Sequence, residues 1–322
     1  MAGVDASISH LPFWKGRGLW RIPNFFRSLY LDAPRIGIST AGTLHYRRLT
    51  IERGARRLPV APKRGPSDPL PVYFMTGREH WAMTAFCAYS LLRSSESDIQ
   101  LIIMDDGSLS SPARIELQRI LPGAMFLALD ECSERVAIHL ARSRFPALHA
   151  MRDELPLMRK LMDLHAGSSG WKLFLDSDIL FFRDPQWMTA WLEQPQQPVY
   201  MRDYQNSYGY SAALLEELIG GPMPPMVNTG LCGLHSNKID WEQLEHWATR
   251  LLAKEGVNHF SEQCLTAMLM HKTGGVGAPR DYLVWPSEAE AKHPSAVMHH
   301  YVAESRTWYH ILGWPAILRR AA

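Results

Sequence analysis

Residues Lys172–Phe182, with the sequence Lys-Leu-Phe-Leu-Asp-Ser-Asp-Ile-Leu-Phe-Phe, decide the fold. The run is short, apolar on both sides of an acidic pair, and preceded by Ser168-Ser169-Gly170, which is typical of a buried strand. Because Asp is disfavoured in strands and seldom fully buried unless paired, Asp176 and Asp178 predict a bound cation, shared with a diphosphate. Hard divalent ions such as Mg²⁺ and Mn²⁺ prefer carboxylate oxygens. In the alternative interpretation the two Asp residues only cap the following turn.

An alternation of strands and helices leads up to this segment. Strands are predicted at 71–76, 101–104 and 125–129, and helices at 79–93, from Ser111-Pro112 onward with Ser111 as the cap, and at about 153–165. Such alternation indicates a parallel sheet covered by helices on both faces, with ligands beyond the carboxyl ends of the strands. Five polar residues fall at these ends: Thr76, Asp105, Asp106, Asp176 and Asp178. We therefore expect an α/β fold with a ligand site along one edge of the sheet.

The pattern continues in the second half of the chain. Helices are predicted near 185–193, 240–254 and 262–271, and strands near 199–201, 227–234 and 296–301. The loop 202–210 is polar and aromatic, and it either stacks a sugar ring or is an ordinary surface loop. The small residues of 227–234 would let a ligand approach the backbone closely. Because successive side chains of a strand alternate, His299 and His300 are expected to point to opposite faces.

The composition describes an ordinary soluble globular protein. The chain has 322 residues, of which 46% are hydrophobic and 20% charged. It contains no apolar run of 18 residues and no signal pattern at its start, so a cytoplasmic location is expected. The cysteines, Cys87, Cys132, Cys232 and Cys264, are far apart in sequence, and we expect free, buried thiols.

Charge is unevenly distributed along the chain. Residues 1–70 hold 12 Lys and Arg against 4 Asp and Glu, whereas 71–322 hold 22 against 28. We interpret 1–70 as a basic, Pro- and Arg-rich extension, with a linker at 59–71, and 71–322 as a single catalytic domain. The acidic body argues against nucleic acid as a ligand. Aromatic and basic residues alternate in 11–31, which suits either peripheral contact with an anionic membrane or packing across the body.

Several short motifs together resemble those of one enzyme family. They are the strand and helix from Tyr73 to Leu91 with Thr76 between them, Arg159-Lys160-Leu161, Asp176-Ser177-Asp178, Val227-Asn228-Thr229-Gly230, and Glu262-Gln263. In this order they resemble the GT-A glycosyltransferases, and within them the retaining glycogenin and lipopolysaccharide galactosyltransferase type. The resemblance covers about 71–310 and implies a Rossmann-like, mixed but mostly parallel sheet flanked by helices.

The most specific match lies near the end of the chain. Residues 300–308 align without a gap on the family pattern His-Phe-x-Gly-x-x-Lys-Pro-Trp. Among the positions that depart from it, Ala303 replaces Gly, Arg306 replaces Lys and Thr307 replaces Pro. Arg for Lys keeps the positive charge but exchanges a point cation for a planar fork. Glu262 is also one carbon longer than the Asp of the family.

The resemblance implies roles for particular residues. Asp176, Asp178 and His300 would hold the metal, for which the imidazole favours Mn²⁺ over Mg²⁺. The implied catalytic residues are Asp178, Glu262 and Gln263, and the implied contacts to the nucleotide sugar are Thr76, Asp105, Lys160, Asp176, Ser177, Asn228, Thr229, Gly230 and Arg306. The expected reaction moves a hexose from a nucleotide-diphosphate sugar, such as a UDP-sugar, to a hydroxyl of a carbohydrate, lipid-linked or protein acceptor, with retention at the anomeric carbon.

Two other interpretations fit parts of the sequence. Phe174–Asp178 also matches the first motif of the haloacid-dehalogenase phosphatases, in which the first Asp is a covalent nucleophile. Those enzymes usually carry the motif near the start of the domain, whereas here it lies about 100 residues into the body. The third interpretation is a non-catalytic carbohydrate-binding protein on the same fold.

Overall fold

A computed structural model describes residues 32–63 and 69–321. The chain divides into two compact units, Met1–Leu49 and Thr50–Ala322. The segment 11–31, for which membrane contact is predicted, lies outside the described residues. A helix spans Ile38–Ala55. Among the described residues, no helix combines the length and the apolar character that crossing a bilayer requires.

The described residues form ten strands in two sheets. In chain order the strands are β1 (Leu70–Thr76), β2 (Ile99–Asp105), β3 (Met125–Leu127), β4 (Trp171–Leu175), β5 (Ile179–Phe181), β6 (Val199–Arg202), β7 (Val227–His235), β8 (Val276–Gly277), β9 (Tyr282–Val284) and β10 (Met298–His300). The larger sheet has the order β3-β2-β1-β4-β7-β6-β8, and the smaller sheet has the order β5-β10-β9. In the larger sheet only β7 runs antiparallel to its neighbours. The predicted mixed, mostly parallel sheet is therefore confirmed.

Helices cover both faces of the larger sheet. The α-helices of the second unit after β1 are Trp81–Ser94, Ser111–Ile120, Leu129–His139, Pro146–Glu154, Arg159–His165, Gln186–Glu193, Ala212–Ile219, Trp241–Glu255, Ser261–Thr273, Glu288–Lys292, Arg306–Trp308 and Trp314–Ala321. One apolar core joins Trp81–Ser94 to β1 and β4, and another joins Trp241–Glu255 and Ser261–Thr273 to the opposite side. Apolar side chains of these helices thereby cover each face of the sheet.

The first core also includes residues that precede β1. Ile51, Ala55, Leu58 and Ala61 are buried in it together with Val72 of β1. Their backbone continues this attachment, since the Ala61 N–H donates to the Ile120 carbonyl at 2.8 Å. Residues 50–63 thus belong structurally to the larger unit. The four cysteines are free and buried, as predicted.

Three local predictions were wrong in detail. The apolar run Lys172–Phe182 is divided by its acidic pair into β4 and β5, which belong to different sheets. The helix predicted at 153–165 is two helices, because Pro156 has no N–H to donate and a 3₁₀ turn at Pro156–Met158 separates them. The cap before Pro112 is Ser110, whose side chain accepts from the Ala113 N–H, rather than Ser111.

The strand order brings the ligand edge into one place. From β1 the chain proceeds outward to β2 and β3 and then returns to the other side of β1 to form β4. Such a reversal opens a crevice beyond the carboxyl ends of the strands, which is where doubly wound sheets bind ligands. The acidic pair begins directly after β4. The fold therefore places Asp176 and Asp178 at the mouth of this crevice.

Candidate active site

Asp176 and Asp178 occupy the turn between the two sheets, and His300 ends the neighbouring strand β10. Strand β10 pairs with β5, and the Tyr301 N–H donates to the Asp178 carbonyl at 3.1 Å. His300 Nε2 lies 3.1 Å from Asp178 Oδ1 and 3.7 Å from Asp176 Oδ2. One ligand atom from each of the three residues lies within 4.8 Å of the other two. The sequence-predicted metal ligands are therefore brought together, and their side chains face one another rather than capping the turn.

Gly230 fixes the orientation of the His300 ring. A Cβ at position 230 would lie 2.1 Å from His300 Cε1 and 2.4 Å from Nδ1. The imidazole is therefore packed directly against the backbone of β7, with Nε2 directed to the carboxylates. Its Nδ1 is buried and has no hydrogen-bond partner among the described residues. Such close backbone approach requires a residue without a side chain.

Arg306 forms an ion pair with the second carboxylate of the turn. Its Nη2 and Nε lie 2.7 Å and 3.1 Å from Asp178 Oδ2. Burial alone would raise the pKa of Asp178, but His300 and Arg306 outweigh it and lower the pKa. The Arg306 side chain remains 57% exposed, so the guanidinium also faces the open side of the crevice. Asp178 is thus held ionised between two cationic or potentially cationic groups.

Lys160 is buried beneath the site and pairs with two acids. Its Nζ lies 2.9 Å from Asp176 Oδ1 and 3.6 Å from Glu262 Oε2. It also donates to the Thr229 carbonyl at 3.2 Å. Burial alone would lower the pKa of Lys160, but Asp176 and then Glu262 raise it above the ordinary value. The ammonium therefore stays charged and holds Asp176 in place at the edge of the site.

Glu262 lies deeper in the same network. Its Oε2 accepts from Thr229 Oγ1 at 2.9 Å and its Oε1 from Thr266 Oγ1 at 3.0 Å. Burial raises the pKa of Glu262, although the nearby Lys160 opposes the shift. Glu262 and Thr229 therefore form the floor of the site rather than its open wall.

Asp203 is a buried acid that the sequence analysis did not single out. Its Oδ2 accepts from Asn228 Nδ2 at 3.3 Å and from Gln263 Nε2 at 3.4 Å. Burial raises the pKa of Asp203. The hydrogen bond that its carboxylate accepts from the Tyr204 N–H lowers the pKa but does not cancel this shift. Asp203 follows β6, whose carboxyl end lies at the same edge as that of β4. The rule that found Asp176, an acid at the end of a strand, would also have found Asp203.

Two of the residues that are predicted to contact the nucleotide sugar at this edge already form hydrogen bonds within the protein. Thr76 is buried, and its hydroxyl accepts from the Thr84 hydroxyl at 2.8 Å. Asp105 Oδ1 accepts the Gly107 N–H at 2.8 Å and so closes the turn after β2. Ser177 lies half-buried in the acidic turn. The roles of these three residues toward a donor remain predictions.

His299 points away from the acidic pair, as the alternation along a strand predicts. It is fully buried, with Nε2 2.9 Å from Glu290 Oε1 and Nδ1 3.0 Å from the Tyr301 hydroxyl. Glu290 additionally accepts the N–H groups of Ser295 and Ala296 at 2.7 Å and 2.9 Å. This network anchors β10 from behind while His300 faces the site.

We expect Glu290→Gln to lower the free energy of unfolding by about 1–2 kcal/mol at neutral pH. Burial alone would raise the pKa of Glu290, but the Ala296 N–H and His299 lower it to about 2. A depressed pKa means that this stabilisation is present above the unfolded value of about 4.5 and is lost as the pH falls toward 2. Urea unfolding at several pH values measures it. The difference in unfolding free energy between wild type and Glu290→Gln should disappear in acid. A difference that does not depend on pH would refute this role of Glu290. Glu288→Gln, at an exposed position, is the control.

Strained backbone surrounds the site. Among the described residues, the non-glycine residues with positive φ are Met226 (55°), Trp285 (61°) and Ala303 (47°). Met226 precedes β7, and its carbonyl accepts the Asp203 N–H at 2.7 Å. The Trp285 N–H donates to the His300 carbonyl at 2.9 Å. Such strain concentrates at functional sites; Met226 and Trp285 are hydrogen-bonded to Asp203 and His300, and Ala303 lies three positions after His300.

Ala303 occupies the position at which the family pattern has Gly. Its φ is positive, and glycine adopts such a conformation more easily than alanine does. We expect Ala303→Gly to raise the free energy of unfolding by about 0.5 kcal/mol, because relief of left-handed strain exceeds the entropy cost of glycine. Ala213→Gly, in the exposed part of the helix Ala212–Ile219, is the matched control and should lose about 1 kcal/mol. Equal destabilisation of both variants in thermal unfolding would contradict this interpretation.

The mixed, mostly parallel sheet flanked by helices is that of the GT-A fold. No protein-family model matches the sequence, and no curated protein matches it. Among solved structures, mouse xyloside xylosyltransferase 1 in its apo form aligns at 13% identity and a TM-score of 0.50, over 75% of this chain and 99% of that one. The fold assignment rests on this alignment.

Two further structures align with lower TM-scores. The galactosyltransferase LgtC, in complex with donor and acceptor sugar analogues, aligns at 13% identity and a TM-score of 0.48, over 78% of this chain and 95% of that one. GlyE from Streptococcus pneumoniae, in its apo form, aligns at 16% identity and a TM-score of 0.42, over 79% of this chain and 63% of that one.

Proposed function

We propose that this protein is a metal-dependent glycosyltransferase that moves a hexose from a nucleotide-diphosphate sugar, in the first instance a UDP-sugar, to an acceptor hydroxyl. One observation carries the proposal: Asp176, Asp178 and His300 converge at the carboxyl end of β4, in a GT-A fold. An isolated strand-end acidic pair would be compatible with many functions. The approach of His300, from near the end of the domain, to this acidic pair favours a site for a nucleotide-sugar donor.

The three residues fit a divalent cation. They offer two carboxylate oxygens and one imidazole nitrogen, a donor set that suits Mn²⁺ and is acceptable to Mg²⁺. Asp176 is 28% exposed, which leaves one side of the cluster open to a ligand. Close packing against Gly230 positions the His300 ring, with Nε2 presented to the carboxylates. When bound, such an ion supplies Lewis-acid stabilisation of the departing diphosphate.

The cations of the chain support the same leaving group. Arg306 lies beside Asp178 and is largely exposed, so its guanidinium can donate hydrogen bonds to phosphate oxygens from the open side. Lys160 is buried, and its ion pair with Asp176 orients that carboxylate. Preorganised positive charge of this kind stabilises negative charge as it develops. We assign Arg306 a direct electrostatic role and Lys160 a positioning role.

The neutral groups face the sugar side of the proposed site. Gln263 and Asn228 share Asp203, which orients both amides. Amides of this kind can bind sugar hydroxyls as donors and acceptors. Glu262 is engaged with Thr229 and Lys160, so we propose that it positions the floor and stabilises cationic character at the anomeric carbon. The carboxylates of Asp203 and Glu262 are both bonded to protein groups. We therefore propose that the leaving phosphate takes the proton of the acceptor hydroxyl, which is consistent with retention.

The donor screen that tests this proposal uses UDP-glucose, UDP-galactose, UDP-xylose and GDP-mannose, each with Mn²⁺ or with EDTA. A true donor should raise the melting temperature in Mn²⁺ only, and slow release of free sugar should accompany it. Phosphate release from p-nitrophenyl phosphate would favour the phosphatase interpretation instead. Binding without any turnover, in the presence of acceptors, would favour a carbohydrate-binding protein. No metal-dependent shift with any nucleotide sugar would refute the proposal.

A further inference from the structure

Two exposed aromatic rings stack on each other beside the site. The rings of Tyr204 and Trp285 have their centroids 5.3 Å apart and an interplanar angle of 15°. The two residues remain 39% and 41% exposed, although large aromatic residues are usually well covered. Partly exposed aromatic side chains beside a few polar groups are a common feature of small-molecule sites.

Both residues are tied directly to the proposed catalytic groups. Tyr204 follows Asp203, and its N–H donates to the Asp203 carboxylate at 2.9 Å. Trp285 follows β9, and its N–H donates to the carbonyl of His300 at 2.9 Å. Because Trp285 has a φ of 61°, its position is kept against an unfavourable backbone conformation. The stacked pair is thus a fixed part of the wall of the site.

The pair lies on the side of the site that the nucleotide does not need. Doubly wound sheets place the nucleotide at the reversal of strand order, here between β1 and β4. Tyr204 instead follows β6, which is separated from β4 by β7, and Trp285 follows a strand of the smaller sheet. Asp176 and Asp178 therefore stand between the two regions. The aromatic pair remains available to the second substrate.

We propose that Tyr204 and Trp285 form a stacking platform for a sugar ring of the acceptor, so that the acceptor is a carbohydrate. The C–H face of a pyranose is apolar and weakly positive, and it complements the negative face of an aromatic ring. Asp203 accepts from the Tyr204 N–H and from the amides of Asn228 and Gln263, and to these amides we assign the polar contacts that orient a hydroxyl. This inference rests on the proposed glycosyltransferase function, and it selects among the acceptor classes that the sequence leaves open.

Saturation-transfer NMR with methyl β-D-galactopyranoside, methyl β-D-glucopyranoside and methyl α-D-mannopyranoside tests the platform directly, with and without UDP and Mn²⁺. In wild type, at least one glycoside should receive saturation at its ring C–H protons. Trp285→Ala and Tyr204→Ala should each weaken this binding by about tenfold, whereas Trp285→Phe should retain most of it, since the ring remains. The control is Ile138→Ala, an exposed apolar residue on the helix Leu129–His139.

The outcomes separate this inference from the proposed function. Absence of glycoside binding to wild type, or equal binding to wild type and both alanine variants, overturns the platform. A loss of UDP affinity in Trp285→Ala, with glycoside binding unchanged, overturns it in favour of stacking on the base. If wild type fails to bind UDP with Mn²⁺ but binds a glycoside through Trp285, the proposed function fails and the carbohydrate platform stands. Melting temperatures of all variants identify any that are misfolded, and Tyr204→Ala then replaces Trp285→Ala.

Discussion

Asp178→Asn is expected to lower transfer or donor-hydrolysis activity by about a thousandfold, while the chain stays folded. Asp178 is buried, contacts His300 at 3.1 Å and Arg306 at 2.7 Å, and is held ionised by both. The substitution keeps the size and shape of the side chain but removes its negative charge. The site then loses one of its proposed metal ligands and the ion-pair partner of Arg306. The measurement is initial rate against Mn²⁺ concentration with the donor that the thermal screen identifies.

The matched control is Asp153→Asn. Asp153 also pairs with an arginine, Arg142, at 2.8 Å, but its side chain is 52% exposed. Since an exposed ion pair contributes little, this variant should behave as wild type in both activity and stability. If Asp178→Asn retained more than about a tenth of the wild-type rate at saturating Mn²⁺, the acidic turn would not be the site of chemistry.

Gly230→Ala is expected to lower the affinity for Mn²⁺ by about 10–100-fold, although it replaces none of the proposed ligands. The added methyl group would lie 2.1 Å from the His300 ring, closer than any real contact, so the imidazole must move away from β7. The displacement alters the distance between Nε2 and the two carboxylates. Overpacking of this kind also costs about 1–3 kcal/mol of stability, which a domain of this size can tolerate. Titration of Mn²⁺ followed by electron paramagnetic resonance measures the affinity.

Gly221→Ala is the control for this substitution. A Cβ at position 221 meets no heavy atom within 4 Å, so the methyl group enters open space. This variant should bind Mn²⁺ as wild type does. Unchanged Mn²⁺ affinity in a folded Gly230→Ala variant would mean that His300 is not a ligand, whatever its distance from the carboxylates.

Much of the fold was predictable because it depends on local patterns. Apolar runs bounded by polar residues identified the strands β1, β2, β4 and β7, and helical periodicity identified the main helices. The break at Pro156 and the cap at Ser110 are local details, whereas other details depend on tertiary context. The division of Lys172–Phe182 between two sheets follows from the pairing of β5 with β10, which no local pattern contains. Likewise, the attachment of Ile51 and Leu58 to the core depends on helices far along the chain.

The candidate site divides in the same way. Asp176, Asp178 and His300 carried recognisable motifs, and the fold brings them within reach of one another. The pairing of Lys160 with Asp176 and Glu262 was not predictable, since a lysine in sequence gives no sign that it will be buried. Trp285 carries no motif, and only its stacking on Tyr204 gives it a role. Sequence patterns therefore identified the three candidate metal ligands. The pairing of the buried residues beneath them and the aromatic pair beside them became evident only from the structure.

The most direct test of the central claim is calorimetric titration of UDP into the wild-type protein, once with Mn²⁺ and once with EDTA. A site formed by Asp176, Asp178 and His300 should bind UDP at least tenfold more tightly with Mn²⁺, and UDP should strengthen Mn²⁺ binding by the same factor. UDP binding of equal affinity in EDTA, or no binding in either condition, would contradict a metal-dependent nucleotide-sugar site at this turn.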